Sequence, residues 1–264
     1  VTEALDKPDR ARHLQVTGSS SVKVRPPPDS VSTNVARLQR PLRFASGILE
    51  DMSNLMDAFP GFFDRADPSP DGEFYSVPRL VTHIDDQAIA AVAALYAELG
   101  VDGDAAQPHR VLDLMSSWTS HLVSAPAELI VLGLNQIELD ANKMATERIV
   151  QDLNVDPRLP LADKSLDAVL CCVSVDYLIH PVEVLAETAR VMRPGAPIAI
   201  TFSNRCFPSK AIRGWLATDD ATHGAIIGEY LRLAGGFTPA EITLRTPSGN
   251  YPGDPLYAVV CRRR

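Results

Sequence analysis

The chain has 264 residues, 45% hydrophobic and 22% charged, a balance that suits a soluble globular protein and excludes a low-complexity or disordered polymer. No apolar run reaches the roughly 18 to 20 residues of a bilayer-spanning helix, which excludes a helical membrane span. The formal charge of −8 is uneven, with +4 on residues 1–44 and −12 on the rest; the acidic part lacks the clustered cations of a duplex nucleic-acid surface.

Residues 1–43 read as a basic arm: Gly18 leads into three serines, Pro26, Pro27 and Pro28 follow, and no helical or strand period is sustained. The chain opens at Val1 rather than Met, so a boundary or removal of a targeting peptide sets its start, the latter implying an organelle protein. Residues 44–106 read as a helical cap. Ile48, Leu49, Met52, Leu55, Met56 and Phe59 recur at three and four, which predicts an amphipathic helix over 46–59. A second helix starts at an Asp85 or Asp86 cap, carries the stripe Ile89, Val92, Tyr96 and Leu99, and stops at Gly100. Between the two lies FYSVPRLVTHIDD, where Tyr75, Arg79 and His83 are spaced by four. It is either a lid over a ligand site or a loop strapped down by Phe74 and Leu80.

From residue 107 to 264 strand and helix patterns alternate, which predicts a mostly parallel sheet covered on both faces. Strand-like runs are 110–114, 129–134, 148–152, 168–175, 198–202, 241–245 and 257–261. Helices are expected just after Trp118 and over 137–146, 181–192 and 219–234. Pro181 suits a first helical turn, and Arg193-Pro194-Gly195 ends that helix. The segment between Arg245 and Tyr257 holds three prolines and two glycines and no helix, so the last strand is expected to return antiparallel. Four cysteines without metal-ligand spacing point to a reducing compartment, with Cys171 and Cys172 as small buried hydrophobes. His180 and His223 read as capping and surface residues.

Ligands of open α/β sheets bind beyond the carboxyl ends of the strands. Those ends place Asp113, Asn135, Asp152 with Leu153, and Val173 at the candidate site. RVLDLMSSWTSHL begins as a nucleotide-binding turn does, yet supplies Met115, Ser116, Ser117 and Trp118 where glycines are usual. The segment QDLNVDPRLPLADKSLDAVLCCVSVDYLIHPVEVLAETARVMRPGAPIAI resembles the class I S-adenosylmethionine-dependent methyltransferases of the type 11-like, small-molecule and ubiquinone-type subgroup. The motifs YSVPRLVTHIDDQAI, LDLMSSWTSHL, VSVDYL and TFSNRCFPSKA resemble, more narrowly, uncharacterised methyltransferase-like proteins of plants, algae and bacteria. Plant and algal members of that group look chloroplast-directed.

The resemblance implies a Rossmann-like seven-stranded α/β sheet, mostly parallel with an antiparallel last strand, and S-adenosylmethionine as cofactor. It would put Asp113 beside the cofactor's amino-acid portion, Met115, Ser116 and Ser117 in the first turn, Asn135 at the ribose diol, and Asp152 with Leu153 at the adenine. Tyr75, Arg79 and His83 would close over the methionine end. Missing glycines and an Asn in place of the usual acid are departures. A zwitterionic tail has no phosphate to approach, and serine hydroxyls can bind it.

Candidates on the acceptor side are His121, a base or a backbone bridge, Asp176 with Tyr177 after the fourth strand, and Asn204 with Arg205 after the fifth. Arg205 either holds an anionic acceptor or pairs with a surface acid. The favoured function is methyl transfer to a small or medium acceptor. The competing one is a non-catalytic interaction or assembly factor that kept the fold. No metal site, nucleic-acid partner or membrane span is expected, and the location is the chloroplast stroma or, alternatively, a bacterial cytoplasm.

Overall fold

The computed structural model describes residues 59–103, 109–249 and 251–264. The expected basic arm and all but the last residue of the expected 46–59 helix lie outside them. A short helix α1 (Asp71–Phe74) precedes α2 (Asp86–Glu98). The Asp85 carboxylate accepts from Ala88 N at 2.8 Å, satisfying one of the free amides at the α2 N-terminus, and Gly100 leaves the helix at φ 69.

The sheet has seven strands: β1 (Arg110–Leu114), β2 (Glu128–Gly133), β3 (Glu147–Val150), β4 (Ala168–Cys172), β5 (Pro197–Ser203), β6 (Glu241–Leu244) and β7 (Leu256–Arg262). Their order is β3-β2-β1-β4-β5-β7-β6. The first five pair parallel, and β7 inserts antiparallel between β5 and β6. Helices α3 (Gln136–Ala141), α4 (Pro181–Val191), α5 (Arg213–Leu216) and α6 (Asp220–Ala234) complete the chain, with a 3₁₀ turn at Val175–Tyr177. This is the Rossmann-like sheet with a reversed last strand that the resemblance implies.

Alternation along the strands sorts the core into two layers. Leu112, Ile130, Val169 and Ile200 face one side and pack with Val184, Leu185, Ile226 and Tyr230 of α4 and α6. Val111, Leu129, Val131 and Ala199 face the other and pack with Ala88, Val92, Leu95 and Tyr96 of α2. Cys171 is buried and Cys172 partly so.

Several expectations are corrected. No helix follows Trp118: His121 sits at φ 54, and Ser120 is buried, its Oγ accepting from Asn142 Nδ2 at 2.9 Å. The helix expected over 137–146 stops at Ala141, because Asn142 turns extended and Arg148 donates to the freed carbonyls of Leu139 and Asn142 at 2.9 and 3.0 Å. Strand β4 ends at Cys172, not residue 175, since Val173 takes φ 44. His223, expected on the surface, is 6% exposed, stacks on Trp215 at 3.8 Å and has Nε2 2.9 Å from the Trp215 carbonyl. His180 precedes α4 but makes no side-chain cap bond.

Candidate functional site

Strands β1 to β5 run parallel, so their carboxyl ends open on one edge of the sheet, and there a cavity of about 300 Å³ lies beneath the segment 75–84. That volume is at the small end of ligand pockets. Among the described residues four that are not glycine have a left-handed backbone, Met115, His121, Lys164 and Val173, and three of them, all but Lys164, line this cavity. Such conformations are unfavourable, most of all for a β-branched valine, and persist where surrounding structure enforces them, commonly at functional sites.

The first turn achieves close backbone approach without its own glycine. Ser116 N donates to Leu132 O at 2.6 Å, drawing the turn onto the end of β2. A Cβ added at Gly133 would lie 2.2 Å from Ser116 O. The bare backbone is therefore supplied one strand over. Both serine hydroxyls donate to carboxylates, Ser116 Oγ to Asp113 Oδ2 at 2.6 Å and Ser117 Oγ to Glu138 Oε2 at 2.7 Å. Their remaining lone pairs accept, which suits an ammonium rather than a carboxylate.

Asp113 supports this turn from behind and is not part of the cavity wall; burial pushes its carboxyl up to about 6, while Ser116 and Ser120 pull it down. Asn135 does line the wall, but its amide is committed. Oδ1 accepts from Ile137 N and Glu138 N at 3.0 and 3.2 Å, and Nδ2 donates to the Tyr75 and Ser76 carbonyls at 2.8 and 3.3 Å. It caps α3 and holds the 75–84 segment, a different job from the ribose contact expected of it. Glu138, to which the strand ends do not point, is, like Asp71, a buried acid of the wall. Its position three residues after an Asn cap is the capping-box pattern that signals it.

At the end of β3, Asp152 and Leu153 line the cavity, and Asp152 Oδ1 accepts from Asn154 N at 2.9 Å. Tyr75, Arg79 and His83 line it from above. Arg79 N donates to Glu138 Oε1 at 2.7 Å, and Trp118 Nε1 donates to Val81 O at 3.1 Å. The Arg79 guanidinium lies 4.6 Å from the Phe74 ring centre and 5.5 Å from that of Phe207. It donates to the Phe74 and Val77 carbonyls, and among the described residues no carboxylate forms an ion pair with it. Trp118 and Met115 belong to the wall and leave the space open.

A buried ion cluster fixes α1 beside the cavity. Arg65 Nη1 lies 2.6 Å from Asp71 Oδ1. Lys210, with a fully buried side chain, donates to Ser69 O at 2.7 Å and lies 3.1 Å from Asp67 and 3.4 Å from Asp71. Asn154 Nδ2 donates to Asp71 Oδ2 and Tyr177 O at 2.8 and 2.9 Å.

Of the acceptor-side residues, His121, Tyr177 and Arg205 line the cavity, whereas Asp176 and Asn204 do not. Asn204 is exposed. Asp176 is buried behind the wall because the 3₁₀ turn points it inward; its Oδ2 has no hydrogen-bond partner among the described residues, and burial pushes its carboxyl up to about 8. The Tyr177 hydroxyl accepts from Phe207 N at 2.9 Å. Arg205 Nε donates to Asp254 Oδ1 at 2.7 Å.

A family model described as a methyltransferase domain matches residues 116–200. Methyltransferase GfsG of Streptomyces halstedii is 29% identical over 107 residues, 37% of this chain and 38% of that protein. An uncharacterized methyltransferase of Mycobacterium bovis is 30% identical over 103 residues, 38% of this chain and 42% of that protein. The chain thus spans about two fifths of the length of these relatives. A malonyl-[acyl-carrier protein] O-methyltransferase of Methylococcus capsulatus is 24% identical over 188 residues, 59% of this chain and 68% of that protein. Among solved structures, an S-adenosylmethionine-dependent methyltransferase from Mesorhizobium loti aligns with TM-score 0.43 and 16% identity over 65% of this chain and 98% of that one. The methyltransferase-domain match thus lies on the segment that runs from the first turn into β5, within a seven-stranded sheet whose β7 is reversed.

Proposed function

We propose that this protein transfers a methyl group from S-adenosylmethionine to a small acceptor bound at the same cavity. The observation that carries this reading is the coincidence of the cavity with the strand ends where Met115 and Val173 hold left-handed backbone. When bound, S-adenosylmethionine supplies an electrophilic methyl group on its sulfonium.

The cavity wall has the chemistry for such a ligand. Arg79, a guanidinium without a carboxylate partner among the described residues, matches the carboxylate of an amino-acid tail, with Tyr75 and His83 beside it. Ser116 and Ser117 present acceptor lone pairs to its ammonium, steadied by Asp113 and Glu138. Leu153 and Val173 give apolar surface, with Asp152 alongside for the adenine end. Asn135 serves by holding the segment above the site closed. Tyr177 and Arg205 stand on the acceptor side of the wall. Asp176 acts from behind it, and Asn204, exposed after β5, stands outside the wall. The division of the sequence into a basic arm (1–43), a helical cap or lid (44–106) and a methyltransferase-like domain (107–264) belongs to this same reading.

One observation favours a second reading, a non-catalytic interaction or assembly factor: the saturated amide of Asn135 leaves the usual ribose acid unreplaced at its own position. Calorimetric titration with S-adenosylhomocysteine separates the two. Binding at micromolar ligand supports the transferase, and no heat together with no thermal shift at millimolar ligand supports the factor. No helix among the described residues is long and apolar enough to cross a membrane. A chloroplast stromal location rests on the likeness of sequence motifs alone, and an organelle import assay tests it.

A further inference from the structure

Methylating a hydroxyl or an amine releases a proton, which a group at the reacting centre takes up. Most titratable groups of the cavity wall are unsuited to this. Asp71 faces Arg65 and Lys210, Glu138 already accepts from Arg79 N and Ser117 Oγ, and Asp152 accepts from Asn154 N. Burial pushes the Tyr75 and Tyr177 phenols and the Cys172 and Cys206 thiols up, so each keeps its proton at neutral pH.

Two imidazoles remain, His121 and His83, and among the described residues neither ring makes a hydrogen bond. His121 is partly buried and stands on left-handed backbone at φ 54; His83 stands at the rim, edge-on to Phe207 at 5.3 Å. A strained backbone that aims an unpaired imidazole into a ligand cavity has no structural task of its own to account for it.

We propose that His121 is the proton acceptor of this site, with His83 the second imidazole of the same wall, and that the methyl acceptor is therefore protic, a hydroxyl or an amine. The inference rests on the methyl-transfer reading. In the step, a lone pair of the acceptor oxygen or nitrogen forms the bond to the methyl carbon. The carbon–sulfur bond breaks with its electron pair passing to sulfur, and the acceptor's proton goes to a free ring nitrogen of His121.

Burial and the neighbouring His83 both lower the His121 pKa. Burial lowers that of His83 as well, with Arg79 adding to the effect and Glu138 opposing it. Both rings are thus neutral, with a lone pair available, at pH 7.

The test uses the full chain with ¹⁵N-labelled histidine, saturated with S-adenosylhomocysteine, and 4-nitrophenol as a protic probe whose absorption reports the state of its hydroxyl. Below the probe's own pKa, a hydrogen bond from its hydroxyl to the neutral imidazole should shift the phenol absorption and the His121 ring nitrogens. His121→Asn should abolish the absorption change. His83→Asn, by removing the repelling neighbour, should raise the His121 pKa in an NMR titration. An unchanged probe spectrum in the wild type, or a change that survives His121→Asn, overturns the assignment. Calorimetry on the same samples separates the failures: homocysteine-analogue binding with a silent probe overturns this inference alone, and absent binding overturns the methyl-transfer reading together with it.

Discussion

Replacing Gly133 with alanine should displace the serine turn and damage the site more than the fold. Two effects oppose each other. Gly133 does not sit in the left-handed region, so alanine suits its extended backbone and stabilises by about 0.5 to 1 kcal/mol through the unfolded chain. Against this, the new Cβ would meet Ser116 O at 2.2 Å, Ser116 C at 3.3 Å and a Leu139 methyl at 3.2 Å. The first contact is with backbone, so the turn itself must retreat by about 1 Å, and overpacking of that kind destabilises by roughly 1 to 3 kcal/mol. The steric effect wins, for a net loss of about 1 to 2 kcal/mol and a Tm lower by roughly 2 to 8 °C. Retreat of the turn also lengthens the 2.6 Å bond from Ser116 N to Leu132 O and carries both hydroxyls away from the ligand. A misplacement near 1 Å can cost about 100-fold in rate, and the lost hydroxyl contacts should weaken the ligand by about tenfold. Thermal unfolding followed by calorimetry with S-adenosylhomocysteine checks both parts. An unchanged Kd in a variant that unfolds a few degrees lower would refute the role given to the serine turn, and an unchanged Tm would refute the close approach.

Arg79→Gln should weaken S-adenosylhomocysteine about tenfold or more, since a charge-assisted bond is lost. It should leave methylthioadenosine, which has no carboxylate, nearly unaffected; equal losses for the two ligands count against the carboxylate contact. Lys210→Met removes the buried cation facing Asp67, leaves Asp71 with Arg65 alone, and should destabilise by about 3 kcal/mol, read by urea denaturation. A loss under about 1 kcal/mol would show that Arg65 alone satisfies Asp71. For Asp176 the folded carboxyl lies above its usual value of 3.8, at about 8, so the folded state binds the proton more tightly than the unfolded chain. Stability from this group is full below the unfolded value and lost as pH rises toward about 8. Asp176→Asn should flatten that fall across pH 4 to 8 and be the more stable protein at pH 9; parallel pH profiles for the two proteins would be the contrary result.

How far the sequence disclosed this molecule follows the range of the interactions involved. Helix α2 was legible because its cap at Asp85, its stripe and its stop at Gly100 lie within sixteen residues of one another. The antiparallel β7 was legible for a similar reason: prolines and glycines between Arg245 and Tyr257 forbid a crossover helix, whatever surrounds them. The ends of β1 to β4 likewise brought Met115, Ser116, Ser117, Asn135, Asp152, Leu153 and Val173 to one cavity, because parallel strands must share an edge. Side-chain duties at that edge were not legible. Asn135 bonds to carbonyls 59 and 60 residues away and Glu138 to an amide 59 residues away. Position relative to β2 names the residue but cannot say whether the overlying segment has already claimed its amide. The same applies to Asp176, which follows β4 as the motif suggests yet is turned inward by a 3₁₀ turn whose backbone bond, Ile212 N to Asp176 O at 3.0 Å, comes from the residue just before α5, an element without a sequence signal. A strand end thus fixes which residues reach the site, and the later segment packed over it fixes which of their polar atoms are still free when a ligand arrives.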